Sequence, residues 1–343
     1  MTRNLYLGAD LTPLQSALTP ADVASLAGGI WREIQDSSFA ERATEIAAEI
    51  VRVDPDVVAL QEVSLYQTQT PSDWISGAAP NATYVELDFL TILLDALADR
   101  GVRYQAAIIG VNADAELPAT AADGTTLDVR LTDRDVILVR EGVAFVPGSS
   151  GRFPTAFGLP IGGADGATLR FDRGYVTTDV TVAGNTVRVV DSHLEIGGLL
   201  GRLQEQQARE LLTALSGYGG QMILAGDFNS PADGTGTTTY ALLTTKTGSP
   251  SPFRDSWDFR QAVQSGGSPP MRPASTVTPG LVTDFTCCVD LRATMLLPSE
   301  RIDLVLFRGG VLPVDVVVVD TAKTTSGLWP SDHLGVFAKL EIR

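Results

Sequence analysis

Histidine is nearly missing from this chain: His193 and His333 are the only two among 343 residues. Lysine is almost as scarce, since only Lys246, Lys323 and Lys339 occur, all in the C-terminal third. Lys+Arg total 25 against 41 Asp+Glu, a formal charge of −16, and no basic run is interleaved with aromatics. Such a field repels polyanions, so nucleic acid is a disfavoured partner unless metal ions or local arginines intervene. No apolar run approaches the length that spans a bilayer, and the longest, "LDFLTILLDAL", is interrupted by Asp88 and Asp95. No transmembrane segment is expected. Cys287 and Cys288 are the only cysteines and are adjacent, which does not match zinc-ligand spacing. A disulfide between them would close a tight ring, so two buried thiols are expected.

No secretory leader is visible. "MTRNLYLGAD" reads directly as a short strand and its turn, so any export signal is expected to have been removed or never present. Scarce lysine with abundant Thr and Gly tilts the expected location towards a secreted or periplasmic protein after signal removal. The 44% apolar residues, 33 Gly and 19 Pro are those of an ordinary globular chain able to bury a large core.

Strand-like runs recur along the chain: "VVALQEV", "DVILVREGVAF", "YVTTDVTV", "TVRVVDSHLE", "QMILAGDFN", "RIDLVLFRGG", "VDVVVVD" and "LGVFAKLEIR". "YVTTDVTV" and "TVRVVDSHLE" flank Ala183-Gly184-Asn185 and predict an antiparallel hairpin. A first helix is predicted after Ser38, with Glu41 completing a capping box and Ala43, Ile46, Ala47 and Ile50 forming one apolar stripe up to Asp54-Pro55. Further helices are predicted over roughly residues 86 to 100 and from about Leu199 to Tyr218. Residues 111 to 133 and 230 to 285 read as long loops. Helices with two kinds of strand signal indicate a mixed α/β or α+β layered fold.

Polar residues at the ends of these strands form a short set: Asn4, Glu62, His193, Asp227, Asn229, Asp303, Asp332 and His333. A carboxylate such as Glu62 at the edge of a buried run is costly unless a cation or hydrogen bonds satisfy it. Asp227 and Asn229 alternate, which would point both to one face of a strand. A single strand-end histidine is commonly structural. Two in so poor a chain, each beside an acid at a strand terminus, suggest one assembled site. Bland readings stay open: Asn4 capping a turn, and Asp303 pairing only with Arg301. Arg134 and Arg173 are candidates for phosphate contact, although isolated arginines commonly make structural pairs.

Six peptides in order, "RNLYLG", "LQEV", "SHLE", "GDFNSP", "RIDLVL" and "PSDHLGV", resemble the endonuclease/exonuclease/phosphatase superfamily over nearly the whole chain. The resemblance implies an α/β (α+β) fold, a DNase I-like four-layer sandwich of two packed mixed β-sheets flanked by helices, with the site at one edge. It also implies one domain over residues 1–343, because Asn4 and His333 must meet at one centre.

In that family water attacks a phosphorus centre with help from a divalent cation. The resemblance makes Glu62 a ligand for Mg²⁺ or Mn²⁺, with Ca²⁺ also compatible, and places Asn4 and Asp332 close by, directly or through water. His333 would activate the water with Asp303 holding its ring, Asp227 would orient the same water, either Asp227 or His333 taking its proton, and His193 and Asn229 would donate to the nonbridging oxygens. Ser230 follows "GDFN", where the inositol polyphosphate phosphatase branch carries an arginine, which counts against that branch. The favoured function is a metal-dependent phosphodiesterase or phosphatase acting on a small or lipid-headgroup phosphoester. The alternatives are a metal-dependent endo- or exonuclease and a noncatalytic binding protein on the same scaffold.

Overall fold

The computed structural model describes residues 1–163, 167–244, 253–258, 284–319 and 321–343. Sixteen strands occur among the described residues: β1 (Thr2–Asn4), β2 (Val57–Gln61), β3 (Leu65–Gln69), β4 (Tyr84–Asp88), β5 (Tyr104–Thr120), β6 (Thr126–Arg140), β7 (Ala144–Arg152), β8 (Phe157–Ile161), β9 (Ala167–Phe171), β10 (Gly174–Val182), β11 (Asn185–His193), β12 (Met222–Asp227), β13 (Arg254–Asp255), β14 (Asp303–Arg308), β15 (Val311–Val319) and β16 (Gly335–Ile342). Five α-helices have both bounds among the described residues, α1 (Pro20–Asp36), α2 (Phe39–Val53), α3 (Phe89–Asp99), α4 (Gly201–Leu215) and α5 (Thr239–Thr244), and residues 256–258 are also helical.

One sheet runs β15-β16-β1-β2-β6-β3-β4, with β5 also paired to β6; the other runs β13-β14-β12-β11-β10-β7. Both are mixed, because β1 is parallel to β2 and β11 to β12 while their other pairings are antiparallel. Strand alternation divides the core into layers. In β6, Ile137 and Val139 face Val176, Val180 and Val189 of the other sheet, while Val136 and Leu138 face the helices. In β12 and β14, Ala225 and Val305 meet Ala59 and Val336 between the sheets, and Leu224, Leu304 and Leu306 meet α4. Helices α1, α2 and α3 thus cover one outer face and α4 with α5 the other, which is the four-layer sandwich expected.

Several local expectations are corrected. The stripe of α2 is buried as predicted, but Ser38 has φ +47° and makes no side-chain cap, because only Ser37 and Ser38 join α1 to α2 and the chain must reverse there. The capping box belongs to the unforeseen α1, where Thr19 and Asp22 bond each other's backbone and Pro20 opens the first turn. Residues 111 to 133 are not a loop but most of the β5–β6 hairpin, turned at Asp123-Gly124. "DVILVREGVAF" is split between β6 and β7 by a turn at Gly142, whose φ is +89°. Asn185 pairs with Val182, so the β10–β11 turn holds only Ala183 and Gly184, both with positive φ. The second and third predicted helices are α3 and α4, trimmed at both ends. Of the long segment 230 to 285, residues 245–252 and 259–283 lie outside the described residues, and the rest contains α5 and β13. Cys287 and Cys288 form a disulfide, contrary to the expected thiols. Cys288 has φ +80°.

Candidate active site

Sheet register brings the predicted residues to one edge. Parallel pairing sets Asn4 opposite Gln61, so both strands end together and Glu62 follows at once, with φ +56°. Parallel β11 and β12 set His193 opposite Asp227, and antiparallel β14 starts with Asp303 opposite Asp227. Antiparallel β16 pairs Val336 with Thr2, which puts His333 beside the end of β1. Gly226 is needed for this edge: its φ is +149°, and a Cβ there would lie 2.0 Å from the Ser192 carbonyl oxygen.

His333 and Asp303 form the closest acid–imidazole pair, with Nδ1 2.8 Å from Asp303 Oδ2. Nε2 faces Asp227 Oδ2 at 3.7 Å and Asp332 Oδ1 at 3.9 Å. The alternative partner for Asp303 is excluded, since Arg301 instead pairs with Asp255 at 2.7 Å. Burial alone would lower the His333 pKa, but the charges of Asp303, Asp227 and Asp332 outweigh it and hold the ring well above its ordinary value. His193 behaves in the opposite way. Burial, the Arg173 charge and His333 hold it well below the ordinary value. Arg173 Nη1 lies 2.9 Å from His193 Nδ1 and can only donate, so the ring proton is on Nε2, which faces Asp227 Oδ2 at 3.5 Å.

The carboxylates are crowded: Asp227 and Asp303 are buried, and Glu62 and Asp332 are partly exposed to the cleft. Burial and the charges of Asp332 and Asp133 raise Glu62 to about 7. Burial and Asp303 raise Asp227 to about 6, with His333 opposing. Burial also raises Asp332. Asn4 stands between two of them: its Nδ2 donates to Glu62 Oε1 at 3.1 Å and Asp227 Oδ2 at 3.0 Å, while its Oδ1 accepts from Tyr6 N. Glu62 Oε2 accepts from Leu7 N at 2.7 Å. Asp227 and Asn229 do share the site, but not by strand alternation; Asn229 has φ +50° and donates its backbone N–H to Asp227 Oδ1. Its Nδ2 donates to Leu194 O at 2.9 Å, and with the ring proton on His193 Nε2 its 3.2 Å approach to that nitrogen is not a hydrogen bond. Asp227, Asp303 and His333 offer donor atoms within 4.8 Å of one another, a group able to hold a metal ion.

Arg134 is not in this group, because it bonds Val63 O and Asp88 as a structural clamp. Arg173 reaches the site through His193 Nδ1 and lies between Asp133 and Glu195 at 3.8 and 3.7 Å. The supporting residues were not foreseen. Arg3, fully buried, bonds the His333 carbonyl and pairs with Glu49 at 3.0 Å. Arg42, on the apolar stripe of α2, donates to the carbonyls of Leu5, Tyr6 and Pro330 and so ties both ends of the chain to the site. Arg42 and Glu49 within that stripe signal buried charge, but not which carbonyls or which residue they meet.

A profile of the Endonuclease/Exonuclease/phosphatase family matches residues 27–333. The chain belongs to this family. No curated protein matches it by sequence. Among solved structures it is similar to humanized TDP2 of D. rerio, at 15% identity and TM-score 0.53, covering 99% of this chain and 97% of that one. It is also similar to a Bacteroides vulgatus endonuclease/exonuclease/phosphatase, at 16% identity, TM-score 0.52 and coverage of 100% and 97%. A third is the Bacteroides thetaiotaomicron mannosyl-6-phosphatase, at 16% identity, TM-score 0.53 and coverage of 99% and 98%. These likenesses establish the fold. Members of the endonuclease/exonuclease/phosphatase family are generally hydrolases of phosphoester bonds and generally use divalent metals.

Proposed function

We propose that this protein is a divalent-metal-dependent phosphoester hydrolase whose attacking water is activated by the His333–Asp303 pair. The observation that carries the reading is the buried imidazole held by Asp303 through Nδ1, with Nε2 turned to Asp227 beside the charge-strained Glu62 and Asp332. Convergence of Asn4 and His333, from opposite ends of the sequence, supports reading the chain as one domain.

The donor set fits Mg²⁺ or Mn²⁺. Glu62 and Asp332 are hard oxygen donors whose negative charge is costly where they lie, a cost that a cation would offset. Asn4 turns its nitrogen, not its oxygen, towards the carboxylates, so in this proposal it orients Glu62 and Asp227. A divalent cation held there supplies charge neutralisation for the carboxylates and the phosphoryl oxygens.

His333 acts after its Nε2 proton has passed to solvent, which leaves Nδ1–H on Asp303 and Nε2 able to accept a proton from the attacking water. The water oxygen bonds to phosphorus as the phosphorus–oxygen bond on the opposite side breaks, the leaving oxygen departs with the bonding pair, and the imidazolium later releases the water's proton to solvent. Asp303 keeps Nδ1–H in place throughout. Asp227 accepts from the same water and orients it, while neutral His193 donates its Nε2–H and Arg173 supplies positive charge to the nonbridging oxygens. The net charge of −16 supports a small ester over duplex nucleic acid. The Cys287–Cys288 disulfide supports an exported location, since such bonds persist in oxidising compartments.

Hydrolysis of a chromogenic bis-aryl phosphodiester with Mg²⁺, with Mn²⁺ and with chelator tests the reading. Turnover that needs the cation and disappears in His333→Ala supports it. Equal low rates for wild type and variant over a panel of phosphate esters would make the protein a binding module instead. A nuclease would lose affinity for DNA steeply with added salt, while a small-ester hydrolase would respond little.

A further inference from the structure

The cleft that holds the ionic residues continues beyond them. Its volume is about 930 Å³, near the upper end of the roughly 300–1,000 Å³ range of small-molecule sites. From Glu62, Asp133 and Arg173 it extends between α1, the outer halves of β5 and β6, and the β8–β9 pair. Its walls there include Ile30 and Trp31 of α1, Leu117 of β5, Leu131 of β6, and Leu159 and Leu169 of β8 and β9. Polar residues lining this part, such as Asp10, Gln15 and Arg170, are themselves exposed.

The chamber is built by a regular pattern. Ala115, Leu117, Val129 and Leu131 pack towards the helices, while the intervening Asp114 and Arg130 turn away and pair at 2.7 Å. Gly28 fixes the approach of α1, since a Cβ there would lie 2.1 Å from the Thr120 carbonyl oxygen. Ile196 and Leu199 line the same cleft and are exposed, Leu199 fully, on a loop that contains Gly197 and Gly198.

We propose that this chamber takes the hydrocarbon chain of an amphiphilic phosphoester whose phosphate sits at the ionic end. The proposal rests on the hydrolase reading for its polar half. For its apolar half it rests on the continuity of one cleft from carboxylates and imidazoles to a wall of aliphatic and aromatic side chains. A sugar or nucleoside would leave its hydroxyls or ring nitrogens unpaired against that wall, whereas a hydrocarbon chain has none to satisfy. The exposed Ile196 and Leu199 extend the apolar path to the surface, where such a chain would enter.

Calorimetric titration of His333→Ala with butyl, octyl and dodecyl phosphonates, held below their micellar concentrations, reads the chamber without catalysis. Affinity is expected to rise roughly three- to fourfold for each methylene buried. In parallel, Ala115→Trp, which fills the chamber, and Leu159→Asp, which charges it, are expected to lower the ratio of kcat/KM for a dodecyl aryl phosphate to that for a methyl aryl phosphate by about tenfold or more. Two variants are used so that a folding failure of one leaves the other to decide. Affinity independent of chain length, or an unchanged ratio in a variant that melts like wild type, overturns the chamber while leaving the hydrolase reading intact. Chain-length-dependent binding without hydrolysis of any ester upholds the chamber and overturns the hydrolase reading. Leu199→Ser separates the sources of the ester: a loss confined to ester embedded in phosphatidylcholine vesicles indicates a lipid surface, and rates unchanged on both forms indicate a dissolved amphiphile.

Discussion

Asp303 gives one carboxylate oxygen to His333 Nδ1 and keeps Oδ1 buried without a hydrogen-bond partner. Its role under this account is therefore directional. Asp303→Asn would let an amide N–H meet the ring and favour the wrong tautomer, so kcat should fall about 10² or more with little change in thermal stability. Steady-state kinetics beside a melting curve check this. Glu62 offers a second test. Its pKa of about 7 means that protons compete with a cation for the same oxygens over the neutral range. The cation concentration for half-activation should rise as pH falls through about 7. Glu62→Gln should raise it about tenfold or more and flatten that pH dependence. A metal titration at several pH values reads both effects.

At the scale of elements, the placement of Asp227 depends on the close approach of the paired parallel strands β11 and β12 at Gly226. Gly226→Ala would put a methyl group into the Ser192 carbonyl at a left-handed φ, so stability should drop by about 2 kcal/mol or more and activity with it. Denaturant unfolding measures the first loss. This arrangement of strand ends was legible in the sequence only in part. The strand ends that carry Glu62, His193, Asp227, Asp303 and His333 could be read because each apolar run stops at a polar residue. The β5–β6 hairpin escaped because its apolar positions are mostly Ala and Leu interrupted by Asp, Glu and Thr, a composition resembling loop although the alternation has period two. Helix α1 escaped because Gly28 and Gly29 lie in its middle, and Gly28 is there for packing against Thr120. Arg3 and Arg42 were not legible as site residues because their partners are backbone carbonyls of distant segments, which no local pattern encodes.

For the whole molecule, the concentrated buried charge couples folding to pH and to cations. Glu62 and Asp227 titrate at about 7 and about 6 in the fold, above their ordinary 4.5 and 3.8, so the folded protein binds these protons more tightly than the unfolded chain. Their contribution is fully stabilising below the unfolded values and is lost as pH rises through the folded ones. In the absence of cation, the melting temperature should therefore be lower near pH ~8 than near pH ~5 as far as these groups dominate, and the increase produced by Mg²⁺ should be larger at the higher pH. Thermal scans with and without chelator test that coupling. The charge of −16 adds self-repulsion over the same range. The central claim concerns the shared centre itself, and its most direct measurement is the rate of bis-aryl phosphodiester hydrolysis by wild type and His333→Ala, each with Mg²⁺ and with chelator. The account predicts turnover only for wild type with Mg²⁺. A wild-type rate that survives chelation, or a variant rate equal to it, would contradict it.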